Sequence, residues 1–131
     1  ISGDTMVVGA PREASSSTGI DSIPNESAFL AGAAYVFVRS GATWTQQAYL
    51  KLAAVGTSQQ GDEFGYSVAV SGDTVVVGAR LEDSSTTGVN STPNESAGTS
   101  GAAYVFVRDG TTWSQQAYLK ASNTGCVACP A

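Results

Sequence analysis

The chain has 131 residues and a formal net charge of −5, with only six lysine and arginine residues and no histidine. Nucleic acid and anionic membrane surfaces are bound through clustered positive charge, and the chain has no basic cluster, so neither is a natural partner. No apolar run approaches the roughly 20 residues that a membrane-spanning helix needs, so we predict no membrane insertion.

A long internal repeat organises the chain. The stretch GAAYVFVR occurs at residues 32–39 and again at 101–108. When residues 1–51 are laid on residues 70–120, which keeps the same offset, 15 positions differ, and this leaves 36 identical positions without an insertion. Such a period is typical of supersecondary units that stack, because one unit alone cannot bury its apolar surface.

A complete copy of the repeat is predicted to contain four strands, which we call a, b, c and d in chain order. The first copy supplies strands b, c and d, and the second supplies all four. In the second copy, residues 64–70 and 75–79 are β-branched runs around a Gly-Asp pair, which predicts a hairpin of strands a and b. Residues 102–108 and 113–120 flank Asp-Gly-Thr-Thr and predict the hairpin of strands c and d. The predicted fold is therefore all-β: two tandem four-stranded antiparallel meander blades, of which the first lacks its first strand.

The side-chain pattern predicts that both faces of each sheet are buried. In strand c, Tyr104 and Phe106 point to one side, and Val105 points to the other. Antiparallel strands that are apolar on both sides need a sheet packed on each side, as in the blades of a β-propeller. Strand d is predicted to be a half-exposed edge strand. Its expected alternation places Trp113, Gln115, Ala117 and Leu119 on one side and Ser114, Gln116, Tyr118 and Lys120 on the other.

These elements together resemble a known repeat family. Phe64-Gly65 opens strand a, Gly9-Ala10-Pro11 closes strand b of the first copy, and Gly-Ala-Ala-Tyr-Val-Phe lies in strand c. This order resembles the FG-GAP repeat, the blade unit of integrin α-subunit propellers, and is most similar to the bacterial variety found in tandem in secreted or surface proteins. The resemblance implies a β-propeller-like blade array, an extracellular or cell-surface location, and a role in adhesion, ligand binding or scaffolding.

The sequence departs from that family in two places. Calcium-binding members carry several carboxylates between strands a and b, since Ca²⁺ prefers six to eight oxygen ligands. Here each loop is only Ser-Gly-Asp-Thr, so we interpret Asp4 and Asp73 as turn residues that bond the local backbone. The second copy also has Arg80 where the motif has proline.

The long b-to-c connections, residues 11–31 and 80–100, are the predicted location of any binding function. If each connection folds back on itself, its acids could surround Ca²⁺ or a polar ligand; the alternative is that they are solvated. The acidic candidates are Glu13, Asp21 and Glu26 in the first copy and Glu82, Asp83 and Glu95 in the second. The same connections contain candidate glycosylation sites at Asn25, Asn90 and Asn94, which indicate exposure more securely than modification.

The tail carries a Cys-Val-Ala-Cys pair, Cys126 and Cys129. Two thiolates without any histidine fall short of a zinc site, and no βαβ pattern surrounds them as in thioredoxin-like proteins. A local disulfide and a cross-link to another chain rank above free thiols, and the sequence leaves the first two alternatives open.

We divide the chain into a first blade with its linker (residues 1–62), a second blade (63–121) and a tail (122–131). The chain opens inside a repeat, so we expect it to be a piece of a longer array or a unit that assembles. Catalytic motifs are missing, and we predict that the protein is not an enzyme. The preferred function is an extracellular structural or adhesive module that stacks blades or shares strands with other copies or with neighbouring repeats, into a ring or a filament. The alternative is a propeller that binds a glycan or protein ligand, with Ca²⁺ in the long connections.

Overall fold

The structure is a computed structural model that describes residues 1–53 and 60–123. Its regular elements are all strands, which confirms the all-β prediction. In these two ranges no helix is long and apolar enough to span a membrane. The strands are β1 (Thr5–Ala10), β2 (Ala33–Ser40), β3 (Thr43–Leu50), β4 (Phe64–Ser71), β5 (Thr74–Ala79), β6 (Ala102–Asp109) and β7 (Thr112–Leu119).

The strands form two antiparallel sheets. The first sheet has the order β1-β2-β3 and the second has the order β4-β5-β6-β7. Each is a meander in which consecutive strands pair, and the first lacks the counterpart of β4, as the repeat predicts. The two sheets are β-propeller-like blades that do not close into a ring.

Strand β7 is an edge strand, as predicted, but its side chains do not alternate along its whole length. Val105 pairs with Ala117 and Phe106 pairs with Gln115, so Gln116 is the extra residue of a β-bulge. Tyr118 therefore lies beside Tyr104, with a ring-centroid distance of 5.2 Å. The predicted alternation of strand d is wrong, because the bulge reverses the side to which the residues after it point. The first sheet has the same bulge, at Gln47.

Each sheet has two different faces, which the pairing register defines. The aromatic face carries Met6, Val8, Tyr35, Phe37, Trp44 and Tyr49 in the first sheet, and Val75, Val77, Tyr104, Phe106, Trp113 and Tyr118 in the second. The small face carries Val7, Gly9, Ala34, Val36, Ala48 and Leu50 in the first sheet, and Val76, Gly78, Ala103, Val105, Ala117 and Leu119 in the second.

The core lies between the two sheets. The small face of the first sheet packs on the aromatic face of the second, and Leu52 and Phe64 extend the same buried cluster. Phe64 contacts Tyr104 and Phe106 edge to face, at centroid distances of 5.3 and 6.1 Å. Burial of these large side chains is the main source of stability, at roughly 25 cal/mol per Å² of apolar surface.

Candidate functional site

The two sheets touch closely at glycines. A Cβ atom on Gly9 would overlap the carbonyl oxygen of Gly65, and a Cβ atom on Gly65 would overlap the carbonyl oxygen of Ala33. Gly65 also has a φ of 91°, which side chains with a Cβ disfavour. A further backbone hydrogen bond joins the N–H of Phe64 to the carbonyl of Ala31, at 3.0 Å. Phe64-Gly65 of one repeat therefore packs its backbone directly on the preceding repeat.

Polar side chains also cross the boundary between the sheets. Arg108 donates from Nη1 to Gln47 Oε1 at 2.9 Å and from Nη2 to Thr5 Oγ1 at 3.1 Å. Trp113 Nε1 donates to the same Gln47 oxygen at 2.9 Å. Gln47 is the bulge residue of β3, and the bulge aims its side chain at the next sheet. The boundary thus combines apolar packing with a small set of directed hydrogen bonds.

Two sheet faces are open: the aromatic face of the first sheet and the small face of the second. The equivalent face of the other sheet is buried in each case, because these two equivalents pack on each other in the core. On the aromatic face of the first sheet, Val8 is 41% and Trp44 is 36% exposed, whereas their counterparts Val77 and Trp113 are 0% and 5% exposed. On the small face of the second sheet, Val76 is 37% exposed. Residues Ala103, Val105, Ala117 and Leu119 there are partly exposed, whereas their first-sheet counterparts Ala34, Val36, Ala48 and Leu50 are buried.

The long connections fold back on themselves and are fixed by a buried lysine in each repeat. Lys51 is completely buried and donates from Nζ to Glu13 Oε2 at 3.2 Å. The same Nζ donates to the carbonyl oxygens of Ser15 and Gly32, at 2.8 and 2.6 Å. Burial lowers the pKa of Lys51, while Glu13 acts in the opposite direction. Lys51 thereby fastens both ends of the connection to the end of β3.

Lys120 does the same in the second repeat. Its Nζ donates to Glu82 Oε2 at 2.8 Å, to Ser100 Oγ at 2.6 Å and to the carbonyl of Gly101 at 2.6 Å. Tyr118 completes this cluster by donating its hydroxyl to Glu82 Oε1 at 2.9 Å. Burial is the main cause that raises the pKa of Tyr118 to about 12.

A model of the FG-GAP repeat matches residues 44–106. The chain contains an FG-GAP repeat. The matched segment runs from β3 into β6 and so includes Phe64-Gly65 and its contact with the first sheet. No curated protein and no solved structure matches the chain.

Most of the acids predicted to bind calcium have polar partners within their own repeat. Glu13 and Glu82 each pair with a lysine, and Asp21 accepts a hydrogen bond from the N–H of Tyr49 at 2.9 Å. Asp83 accepts from the N–H of Thr99, Glu26 is exposed, and Glu95 lies near Asp62. Within residues 1–53 and 60–123, no three acidic, cysteine or histidine side chains are placed to hold a metal ion. Calcium binding by these acids stays a prediction, because the described residues contain no group of three such side chains that could hold the ion.

The candidate glycosylation residues organise the connections of both repeats. Asn25 Oδ1 accepts hydrogen bonds from the backbone N–H groups of Ser16 and Ser27, at 3.0 and 2.9 Å. Asn94 accepts from Ser85 and Ser96 at the same distances. Asn90 accepts from the N–H of Tyr118 at 2.9 Å, as Asp21 does from Tyr49. These bonds explain the repeated asparagines structurally, and glycosylation stays a prediction.

The turn aspartates differ from the prediction. Asp73 lies in the β4–β5 turn, but its Oδ1 accepts a hydrogen bond from Arg108 Nε at 2.8 Å. Asp4 accepts from Arg39 Nε at 2.9 Å in the first repeat. The prediction of local backbone bonding is wrong for these carboxylates, because the arginine on the neighbouring strand c reaches each turn.

Arg80, which replaces the family proline, has a specific role at its corner. Its Nε donates to Glu63 Oε2 at 2.6 Å, and its guanidinium lies 4.0 Å from the ring centroid of Tyr66. This ion pair and this cation–π contact hold the chain in place where it leaves β5, without the family proline. Cys126 and Cys129 lie outside the described residues, so the pairing of the two cysteines stays a prediction.

Sequence reasoning missed Asp62, which is buried beside the second connection. Burial, followed by the carboxylates of Glu82, Glu95 and Asp83, raises the pKa of Asp62 to about 7. It also missed both buried lysines. The sequence does carry a signal for the lysines, because Lys51 and Lys120 occur at the same repeat position and so do Glu13 and Glu82.

Proposed function

We propose that this chain is an extracellular structural and adhesive module whose FG-GAP units assemble by blade stacking, into a ring or a filament. The observation that carries the proposal is the pair of open faces: each is the counterpart of a face that is buried between the two blades. Exposed apolar faces of this kind mark interaction sites. A unit with complementary faces at opposite ends makes head-to-tail contacts, which give rings or filaments.

Strand sharing is a second way in which copies could join. Strand β1 is an edge strand of the first sheet, whose order is β1-β2-β3. An uncovered edge has free N–H and C=O groups that can pair with a strand from another chain. Both routes support a structural function, and neither needs a catalytic group, so we propose a non-enzymatic role.

The molar mass of the native particle tests this proposal. Light scattering coupled to size exclusion, with reductant present to remove cysteine cross-links, should give masses well above the 13.3 kDa of one chain. A discrete multiple indicates a closed assembly, and a broad, large species indicates a filament. A monomer at every concentration would contradict assembly by this chain alone.

Ligand binding is the second candidate function. The long connections are fixed by Lys51 and Lys120, and a fixed loop loses little conformational freedom when it binds a ligand. A glycan or protein ligand would bind there at about one site per repeat. Calorimetric titration with glycans, with and without calcium, distinguishes the candidates, because the structural function predicts no saturable heat.

A further inference from the structure

We propose that the aromatic face of the first sheet is a binding site for a second copy of this chain, and that it accepts the small face of that copy's second sheet in the arrangement already present between the two sheets. This inference rests on the proposed assembly function. It adds which surfaces meet and which side chains recognise each other.

The apolar part of the site is complementary by repetition. Inside the chain, the small face around Ala34 and Val36 covers the aromatic face around Tyr104 and Phe106. The two open faces carry the equivalent residues, so the same shapes meet when a second copy is placed one repeat further along. Within the described residues, Val8 and Val76 are the most exposed valines of the two open faces.

The polar side chains that join the two sheets have equivalents on the two open faces. The donors lie on one open face and the acceptors on the other, so the bonds between them are not made within one chain. Arg39 and Trp44 occupy the positions in the first repeat that Arg108 and Trp113 occupy in the second. The guanidinium of Arg39 lies 5.2 Å from the ring centroid of Trp44, as Arg108 lies 5.0 Å from that of Trp113. The donor pair is therefore already arranged as it is at the internal boundary.

The acceptors lie on the opposite end of the chain. Gln116 and Thr74 occupy the positions in the second repeat that Gln47 and Thr5 occupy in the first. Both Gln116 and Thr74 are exposed, and Gln116 is the bulge residue of β7. In the proposed contact, Arg39 and Trp44 donate to Gln116 of the second copy, and Arg39 also donates to its Thr74.

A cavity beside the aromatic face of the second sheet is bordered by the segment that leaves β3. In the second repeat, the N–H of Ala53 donates to Gln115 Oε1 at 3.5 Å, and Ala53 lines a cavity of about 280 Å³ with Asn90 and Pro93. The first repeat has the equivalent cavity, of about 310 Å³, lined by Asp21, Ser22, Pro24, Tyr35, Gln46 and Tyr49. Ser122 stands at the repeat position of Ala53, so Ser122 of the second copy would take its place, with Gln46 as acceptor.

The contact between copies is smaller than the internal one. Within the chain, β4 of the second sheet packs against β1 and β2 of the first. The first sheet has no strand at the β4 position, so that part of the contact is missing between copies. We therefore expect an association that depends on concentration, in contrast to the internal boundary.

Two variants that each block one face test the proposal. Val8→Glu places a charge on the aromatic face, and Val76→Glu places one on the small face. Each variant alone should stay at 13.3 kDa in sedimentation velocity with reductant. An equimolar mixture should form only a dimer, at twice that mass, because one aromatic face and one small face remain competent. The control Glu26→Gln, in the exposed first connection, should assemble as the unmodified chain does.

A third variant avoids introducing a charge. Gln116→Ala removes the shared acceptor from an exposed position, and should raise the dissociation constant about tenfold while leaving the unfolding midpoint unchanged. Unchanged association would overturn the proposed recognition.

The outcomes separate the inference from the proposed function. If the unmodified chain assembles and both blocked variants assemble equally well, the two faces are not the interface, and assembly by another route stands. If both blocked variants are folded monomers and their mixture is also monomeric, the contact is not head-to-tail. If the unmodified chain is monomeric at all concentrations, both the inference and the assembly function fail.

Discussion

Arg108 and Gln47 face each other across the boundary between the two sheets, with Nη1 2.9 Å from Oε1. Trp113 donates to the same oxygen, so one side-chain amide of the first sheet accepts two donors of the second. Directed bonds of this kind fix the register of two faces that apolar packing alone would let slide. The boundary between the two sheets therefore has a specific geometry.

Replacing Arg108 should destabilise the fold, whereas replacing Arg39 should not. Arg108→Ala removes the bonds to Gln47 and Thr5 and the pair with Asp73, and should lower the free energy of unfolding by about 2 kcal/mol. Arg39→Ala removes an exposed pair with Asp4 and the contact of the guanidinium with the exposed ring of Trp44, together worth about 1 kcal/mol or less. Urea unfolding at concentrations where the chain is monomeric measures both. Equal losses would show that the cross-sheet bonds contribute nothing.

Gly65 should tolerate no side chain. In Gly65→Ala, the new Cβ would overlap the carbonyl oxygen of Ala33 in the other sheet, at a backbone φ of 91°. We expect a loss of about 3 kcal/mol or more, since strain and a forced separation of the sheets add. Gly41→Ala is the matched control, because Gly41 has a φ of 61° and open space around it. It should lose only about 1 to 2 kcal/mol. A Gly65 variant as stable as this control would contradict the close packing of the two backbones.

Lys120 should control the order of its connection. Lys120→Met leaves Glu82 buried without its cation, at a cost of about 3 to 5 kcal/mol. Amide hydrogen exchange should become faster in residues 80–100, while residues 11–31, fastened by Lys51, serve as the internal control. Adding Glu82→Gln should recover part of the loss, since no unpaired charge remains. A double variant less stable than Lys120→Met would argue against this account.

The raised pKa of Asp62 should make stability depend on pH. Its pKa of about 7 lies above the ordinary value of 3.8, so between these values the folded state holds a proton that the unfolded state has lost. The free energy of unfolding should therefore fall as the pH rises from about 4 to about 7, by at most about 1.4 kcal/mol per pH unit. Asp62→Asn should flatten this slope and should be the more stable protein at pH 8. Parallel profiles for the two proteins would exclude this assignment.

The strands could be predicted because their signals are local. β-Branched runs such as residues 75–79, the turn pairs between them and the internal repeat fix strand order without any tertiary knowledge. The bulge at Gln116 could not be predicted, since an extra residue in a strand looks the same as a regular one until its partner strand is known.

The chemistry of the connections could not be predicted for a related reason. The partner of Glu82 is Lys120, which is 38 residues further along the chain. An acid in a loop looks available for a cation when its counter-charge is that remote. Two of the three sequon asparagines, Asn25 and Asn94, also hold their loops through backbone donors nine residues away, a role that the sequence did not indicate.

The complementarity of the aromatic and small faces has a consequence for how an array of such units would respond to dilution. Residues 51–63 tether the two sheets, and a short tether of this kind keeps its ends at an effective concentration on the order of millimolar. In the proposed contact, free copies would meet the same kind of surface only at their bulk concentration. Dilution should then separate copies long before it separates tethered blades. In a longer chain, resistance to dissociation on dilution would increase with the number of blade boundaries that lie within one covalent chain, although no single boundary would be more stable.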